Sequence, residues 1–320
     1  MKLAQAILKD ELAAFEIHFK EAVKSRVPLL DRIMQYIVKR KGKQLRPMFV
    51  LLSAKLVGQI TDTSYRAASL VELLHTATLV HDDVVDDAME RRGFFSINAL
   101  WKNKIAVLVG DYLLSKGLLL SLNNADFKVL QILSEAVKQM SEGELLQMEK
   151  SRKLNLDEAV YYEIINGKTA SLLASACAAG ATSTTTDESI IDKMRAFGQN
   201  VGMAFQIKDD LFDYGNDDIG KPTGNDIKEK KMTLPLIYTL NRVDSATKKQ
   251  LIYTIKNDNN NKDKVKWIIE QVQQNGGISY AHDKMLQYRD NALTILHQFP
   301  ATKERDALEE LVRYTTDRKF

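Results

Sequence analysis

The chain has 320 residues, of which 45% are hydrophobic and 27% are charged, a mixture typical of a globular protein and unlike that of a disordered or collagen-like chain. Its net charge of +3 gives nucleic acid no special attraction. The single cysteine, Cys177, excludes an internal disulfide and fits a reducing, cytoplasmic location.

The spacing of apolar residues predicts an all-α protein. Only 5 prolines and 15 glycines interrupt the chain, and between them apolar residues recur at intervals of three and four. One helix should begin near Pro47 and end before Gly58, and the next should run over 65–92 until Gly93 stops it. Further helices are predicted at 102–122, 127–148, 157–178, 188–213, 234–240, 246–255, 262–274, 278–298 and 303–318. With no evident linker or repeat, we expect one domain over residues 1–320.

The sequence predicts no secretion signal and no membrane anchor. Charged residues interrupt the apolar stretch near the start of the chain, where a signal peptide would need an unbroken run. Asp111 and Lys116 likewise interrupt the most apolar passage, residues 105–120, which falls short of a spanning helix. We therefore expect a soluble protein.

A pair of aspartates in LVHDDVVDDAMERRG is the first candidate functional feature. Asp82 and Asp86 are four residues apart, so on a helix their carboxylates project from one face about one turn apart and repel each other. On an otherwise apolar helix, that repulsion indicates a cation that normally neutralises the pair. Carboxylate oxygens suit Mg²⁺, which binds to one or two carboxylates together with substrate phosphates.

The same spacing recurs far along the chain, in FQIKDDLFDYG. There Asp209 and Asp213 differ by four residues, and Asp210 follows the first of them. One such cluster alone fits a solvated acidic face of a helix. Two matching clusters favour two helices that present carboxylates to a shared cavity.

Basic residues follow or precede these clusters, as a diphosphate site requires. Arg91 and Arg92 lie about one turn beyond the first cluster, although such a pair also suits a helix C-terminus. The NGKT run is not a P-loop, because the GxxxxGK[ST] spacing is missing. His75 could donate to a phosphate or simply pack in the core. The other candidate cations, with one adjacent hydroxyl, are Lys43, Arg46, Lys168, Thr169, Lys221 and Lys231.

Taken together, the motifs resemble those of the trans-isoprenyl diphosphate synthases, also called polyprenyl synthetases. The resemblance extends over essentially the whole chain, in the order GKQLRP, HDDVVDDAMERRG, VLVGDYLL, GELLQ, NGKTA, FQIKDDLFDYG, GKPTGNDIKEKKMTLP and LVRYTTDRKF. It implies an all-α bundle of helices around a deep central cavity, usually as a homodimer. The implied reaction joins isopentenyl diphosphate to an allylic diphosphate.

The resemblance also implies how the aspartates would hold metal, with about three Mg²⁺ ions present when diphosphate is bound. Asp82 and Asp86 match the first aspartate-rich motif, which holds two ions against the allylic diphosphate. Asp209 matches the second motif, which holds the third ion, and Asp210 and Asp213 support it.

The remaining matches concern the substrates. The cations that grip the allylic diphosphate are matched by Arg91, Lys168 and Lys221. Thr169 and Gln206 match polar groups near the reacting carbons. The isopentenyl diphosphate pocket is matched by Lys43, Arg46, His75 and Arg92. Lys231 is a weaker match, because Lys230 stands where many relatives have glycine; the FFSIN run after Gly93 also departs from the usual pattern.

Product length should depend on the side chains before Asp82 on the same helix. Each turn of about 5.4 Å matches roughly one prenyl unit, and no aromatic side chain blocks the path near the aspartates. In the resembling family, aromatic residues at this place give short products. We therefore expect a long product, about octaprenyl and typical of quinone side chains, along a tunnel formed by Ala77, Thr78, Leu74 and Val71.

Several alternatives stay open. A floor formed deeper in the tunnel would give a farnesyl or geranylgeranyl product instead. A terpene cyclase or a non-catalytic partner subunit would share the fold, but both aspartate clusters are retained here. A calcium-binding protein would not explain the basic groups. The expected partners are the two diphosphate substrates and a second copy of the chain, with transient membrane contact for release of a long product.

Overall fold

The computed structural model describes residues 1–39, 42–91, 93–154, 157–215 and 224–317. Within this part of the chain the regular secondary structure is helical except for one short hairpin, so the all-α prediction is confirmed. Two compact units are present. Unit 1 comprises Met1–Val137, Ser175–Arg195 and Phe299–Leu311, and unit 2 comprises Lys138–Ala174, Ala196–Gln298 and Val312–Phe320. The expectation of one domain over residues 1–320 stays a prediction.

Unit 1 is built mainly from the N-terminal half of the chain. Its helices are α1 (Lys2–Ile7), α2 (Lys9–Val23), α3 (Pro28–Lys39), α4 (Leu45–Val57), α5 (Asp62–Val85), α6 (Ile97–Trp101) and α7 (Asn103–Leu122), and its hairpin consists of β1 (Glu90–Arg91) and β2 (Phe94–Phe95).

Unit 2 contains α9 (Glu158–Ile165), a π-helical turn (Asn166–Ala170), α12 (Asn225–Lys228), α13 (Leu234–Leu240), α14 (Ser245–Asn257), α15 (Lys262–Gln274) and α16 (Gly277–Leu296). Four helices contribute residues to both units: α8 (Phe127–Lys153), α10 (Ser171–Thr182), α11 (Glu188–Phe212) and α17 (Lys303–Asp317).

Helix α5 packs against α4 and α7 to form the centre of unit 1. Helix α4 is buried along an unbroken run from Pro47 to Ala54, as expected of a helix that is apolar on all sides. Helix α7 approaches α5 through Gly110 and Gly117, where an added Cβ would meet His81 and Leu70. Small residues at these two positions set the α5–α7 distance.

The helix predicted over 65–92 is wrong at its C-terminal end, because α5 stops at Val85. Asp87 has a left-handed φ of 48°, and the Ala88 N–H donates to the Asp83 carbonyl at 2.9 Å, which is a Schellman ending. Gly93, the expected stop, instead lies between β1 and β2 with a φ of 76°, and Arg91 pairs with Phe94 across the hairpin.

Most other predicted helices are confirmed to within a few residues. The predicted helices over 234–240 and 262–274 match α13 and α15 at both ends. The predicted helix over 157–178 is interrupted by the π-helical turn and continues as α10 to Thr182. Helices α1–α3 and α6 were not predicted.

Contrary to the expectation from residues 105–120, α7 is long and apolar enough to span a membrane by length and composition alone. About a third of the residues in the most apolar stretch of α7 are buried, on the face toward α5. Two charged residues, Asp111 and Lys116, interrupt that stretch. The packing against α5 accounts for the apolar character of one face of α7. Cys177 is also buried, which raises the pKa of its thiol to about 12 and fits a packed, inert side chain.

A close helix contact in unit 1 allows a test of this packing. An added Cβ at Gly180 of α10 would lie 2.2 Å from the Val50 carbonyl oxygen of α4. We expect Gly180→Ala to lower the free energy of unfolding by about 1–3 kcal/mol, because two backbones must separate. Thermal and denaturant unfolding measure the change, and an unaltered stability would contradict this contact.

Candidate active site

The first aspartate cluster lies at the C-terminal end of α5. Asp82 is partly exposed and Asp86 is exposed as the C-cap residue, and the Asp86 N–H donates to the Asp82 carbonyl at 2.8 Å. The two carboxylates therefore start one helical turn apart, as predicted, at a helix end that solvent and ligands can reach.

Asp83 behaves differently from its neighbours, because its side chain is buried. Its carboxylate accepts from the Arg91 guanidinium at 2.5 Å, and its backbone carbonyl accepts from the Asn98 side chain at 3.1 Å. Burial raises the pKa of Asp83, and Arg91 opposes that shift. Asp83 thus fixes the hairpin that carries Arg91 to the end of α5. No role for Asp83 was predicted from the sequence.

A cavity of about 310 Å³ in unit 1 adjoins the face of α5 that carries Asp83. His75 and Arg91 both line it, so the structure brings together two residues that were predicted to bind diphosphate. Gln44 lines the cavity as well, beside the exposed Lys43 and two residues before the half-buried Arg46. The apolar walls include Phe15, Phe19, Tyr36, Leu79, Phe94 and Phe95.

The residues predicted to form the product tunnel lie along α5. Val71, Leu74 and Ala77 are buried, and the partly buried Thr78 donates from its hydroxyl to the His75 carbonyl at 2.9 Å. Leu74 lies beside Gly117 of α7. Small side chains near the aspartates thus give way to leucines deeper along the helix.

In unit 2, the π-helical turn carries Lys168 and Thr169. Glycines from two other helices lie against this turn. A Cβ added at Gly143 of α8 would lie 2.8 Å from the Lys168 backbone nitrogen, and a Cβ added at Gly202 of α11 would lie 2.5 Å from the Ala170 Cα. A π-turn inserts one extra residue in a helix and often marks a functional site. These close backbone contacts fix where the two side chains start.

Lys168 forms an ion pair with Glu144 of α8, with Nζ and Oε2 2.5 Å apart. Both side chains are about a third exposed. Gln147 donates to the other Glu144 oxygen at 3.3 Å. Glu144 belongs to the GELLQ motif, but its pairing with Lys168 was not predicted from the sequence.

The second aspartate cluster ends α11. Asp209 is partly exposed, whereas Asp210 is buried and accepts hydrogen bonds from the Tyr161 hydroxyl at 2.7 Å and the Gln206 amide at 2.9 Å. The Thr169 hydroxyl donates to Gln206 at 2.7 Å. The structure therefore joins the predicted pair Thr169 and Gln206, and adds Tyr161, which sequence reasoning missed.

Backbone hydrogen bonds within unit 2 hold the Asp213 carboxylate in place. Its two oxygens accept from the backbone N–H groups of Asn225 and Asp226 at 2.8 and 3.1 Å, at the start of α12. Burial and the nearby Asp226 charge raise the pKa of Asp213 to about 6 and that of Asp210 to about 7. A bound divalent cation would favour the ionised forms, so metal binding should release protons.

Lys231 lies beside acidic residues of its own segment. It pairs with Glu229 and lies 3.9 Å from Asp226. Arg92 and Lys221, the other predicted cations, lie outside the described residues.

The donor set fits Mg²⁺ that is completed by substrate oxygens. Within residues 1–39, 42–91, 93–154, 157–215 and 224–317, no three Asp, Glu, His or Cys side chains converge as a metal site by themselves. Paired carboxylates at the ends of α5 and α11 match a cation that takes one or two carboxylates and fills its shell with water and phosphate oxygens.

Known proteins match this chain over the residues of the candidate site. The Polyprenyl synthetase family model matches residues 27–272. Heptaprenyl diphosphate synthase component 2 from Bacillus subtilis is 34% identical and aligns with 100% of this chain and 91% of that protein. Octaprenyl diphosphate synthase from Escherichia coli is 33% identical and aligns with 97% of this chain and 96% of that protein.

A solved structure agrees with these matches. Polyprenyl synthase from Caulobacter crescentus, complexed with calcium and isoprenyl diphosphate, superposes with a TM-score of 0.92 at 34% identity and covers 100% of this chain and 98% of that one. The all-α fold that the resemblance implies, known as the isoprenoid synthase fold, is thereby confirmed. Since the similarity extends over the full chain and not over the motifs alone, the chain belongs to the polyprenyl synthetase family of prenyltransferases.

Proposed function

We propose that this protein is a magnesium-dependent prenyltransferase that condenses isopentenyl diphosphate with an allylic diphosphate and repeats the step to a long all-trans product, about octaprenyl. The observation that supports it most is the combination of paired carboxylates and cations predicted to bind phosphate, in a chain aligned over nearly its full length with an octaprenyl diphosphate synthase.

The carboxylates and cations would act on the diphosphate. Asp82, Asp86 and Asp209 would hold Mg²⁺, which supplies positive charge to the departing diphosphate. Arg91 is held in place by Asp83 and would donate to phosphate oxygens in a planar fork. Lys168 would exchange Glu144 for a phosphate oxygen when substrate binds. These groups together favour cleavage of the allylic C–O bond.

The remaining groups would direct the new bond. Isopentenyl diphosphate would bind near Lys43, Arg46 and His75, with its double bond toward the allylic carbon. The double bond attacks, a C–C bond forms, and the proton that is lost goes to the released diphosphate. Thr169 and Gln206 would lie beside the reacting carbons. The apolar side chains of α5 would keep water from the allylic cation.

The central test is an activity assay with a matched pair of variants. Purified protein is incubated with Mg²⁺, isopentenyl diphosphate and an allylic primer, and the products are separated by chromatography. We expect linear prenyl chains from the wild type, and on the order of 100-fold less from Asp82→Asn, because one carboxylate of the metal site is lost.

Asp87→Asn is the control for that assay. It removes one carboxylate from the same stretch, and Asn tolerates the left-handed backbone at this position. We expect it to retain activity. Cyclic hydrocarbon or no product from the wild type, or full activity in Asp82→Asn, would contradict the proposal.

Product length tests the position of the tunnel. Ala77 is buried on α5, close to the aspartates. We expect Ala77→Val, Ala77→Leu and Ala77→Phe to shorten the product progressively toward geranylgeranyl or farnesyl, because each larger side chain fills the path of the growing chain. Chromatography of the dephosphorylated products measures the distribution. An unchanged distribution in Ala77→Phe would place the tunnel elsewhere.

We also propose a homodimer formed through the exposed face of α7. The face opposite α5 presents apolar side chains to solvent, which isolated proteins seldom do over such a length. Leu108 is 67% exposed and Leu119 is 50% exposed. Further exposed members of this α7 face are Val107, Leu118 and Leu122.

Light scattering after size-exclusion chromatography tests the dimer. We expect a dimer for the wild type and a monomer for Leu108→Glu combined with Leu119→Glu, because two buried charges oppose association. Tyr253→Glu is the control, since Tyr253 on α14 is 61% exposed and belongs to another surface. A dimer that survives the α7 changes would contradict this interface.

A further inference from the structure

Tyr161 is a buried polar side chain to which the mechanism above gives no role. It lies on α9, is only 3% exposed, and belongs to the apolar core of unit 2. Its hydroxyl donates to the Asp210 Oδ2 at 2.7 Å. Burying this hydroxyl in a core where phenylalanine would fit indicates that the hydrogen bond itself is needed.

Asp210 in turn fixes the orientation of the Gln206 amide. The other oxygen, Oδ1, accepts from the Gln206 Nε2 at 2.9 Å. The Gln206 amide thus turns its nitrogen, which is a donor, toward Asp210. Its oxygen then faces the opposite way, toward Thr169.

Gln206 in turn fixes the direction of the Thr169 hydroxyl hydrogen. The Thr169 Oγ1 lies 2.7 Å from the Gln206 Oε1, which can only accept, so the Thr169 hydroxyl must donate its hydrogen to Gln206. The oxygen lone pairs of Thr169 are left for a ligand. Lone pairs that face an electron-deficient carbon stabilise developing positive charge, whereas an O–H directed at the same carbon opposes it.

We propose that Tyr161 is a positioning residue for the condensation: acting through Asp210 and Gln206, it fixes the direction of the Thr169 hydroxyl so that an oxygen lone pair faces the reacting allylic carbon. This inference rests on the proposed function, which gives Thr169 and Gln206 their place beside the substrate. Tyr161 itself touches neither substrate nor metal.

The structure supplies a matched control within the same helix. The next residue, Tyr162, donates to Glu158 at 2.9 Å, and Tyr280 of α16 donates to that same carboxylate at 2.5 Å. These bonds anchor α9 but do not lead to Gln206. Tyr162→Phe therefore removes a comparable hydroxyl from α9 without touching the chain of hydrogen bonds from Tyr161 to Thr169.

The test is steady-state kinetics of Tyr161→Phe beside Tyr162→Phe. Tyr161→Phe keeps the ring and loses only the hydroxyl, so we expect kcat to fall about 10-fold while KM for both substrates and the product length stay unchanged. Tyr162→Phe should leave kcat unchanged. Equal kcat values for Tyr161→Phe and the wild type would overturn the inference, and an inactive wild type would overturn the proposed function instead.

A double-mutant cycle separates positioning from a general structural effect. Thr169→Val removes the hydroxyl at the end of the series. In that background Tyr161→Phe should change kcat less than 2-fold, because no hydroxyl is left to orient. The same 10-fold loss in both backgrounds would mean that Tyr161 only stabilises unit 2, and would overturn the inference.

A second variant keeps the test usable if Tyr161→Phe does not fold. Asp210→Leu removes both accepting oxygens, so Gln206 loses the hydrogen bond that holds its amide nitrogen away from Thr169. The kcat should fall here as well, and should fall little further when Thr169→Val is added. Additive losses in this pair would also overturn the inference.

Discussion

Each aspartate cluster places three like charges within about one helical turn, and the rest of the site follows from how their repulsion is relieved. In both clusters the second aspartate is buried and held by donors from the protein itself. Asp83 is held by Arg91, and Asp210 is held by Tyr161 and Gln206. The first aspartate of each pair, Asp82 or Asp209, stays partly exposed, where a metal ion and its waters have access. Each motif thus combines an accessible aspartate that could bind metal with a buried aspartate that holds a neighbouring side chain. Asp83 holds Arg91 and Asp210 holds Gln206, both of which are predicted to act on substrate.

The sequence predicted the parts of the structure that depend on local pattern. Helices α13 and α15 match their predicted ranges because apolar spacing and capping residues mark their ends. The end of α5 was misplaced because the residue at the left-handed position is Asp87, not the glycine that usually marks a Schellman ending. The π-turn over 166–170 has no recognisable sequence signature, since it depends on contacts with Gly143 and Gly202 from distant parts of the chain.

The site residues follow the same division. The aspartates, Lys168 and Thr169 could be predicted because they lie in short motifs with a clear chemical purpose. Glu144 and Tyr161 could not, since their partners, Lys168 and Asp210, lie 24 and 49 positions along the chain. From the sequence alone, an isolated tyrosine on an apolar helix is interpreted as a core residue. Only the fold shows that its hydroxyl reaches a carboxylate.

Helix α7 connects two properties that are usually considered separately. Its inner face meets α5 at Gly117, beside Leu74, in the region where the product chain is expected to end. Its outer face carries the exposed leucines proposed to meet a second copy. The proposed dimer face and the proposed product tunnel therefore lie on opposite sides of the same helix.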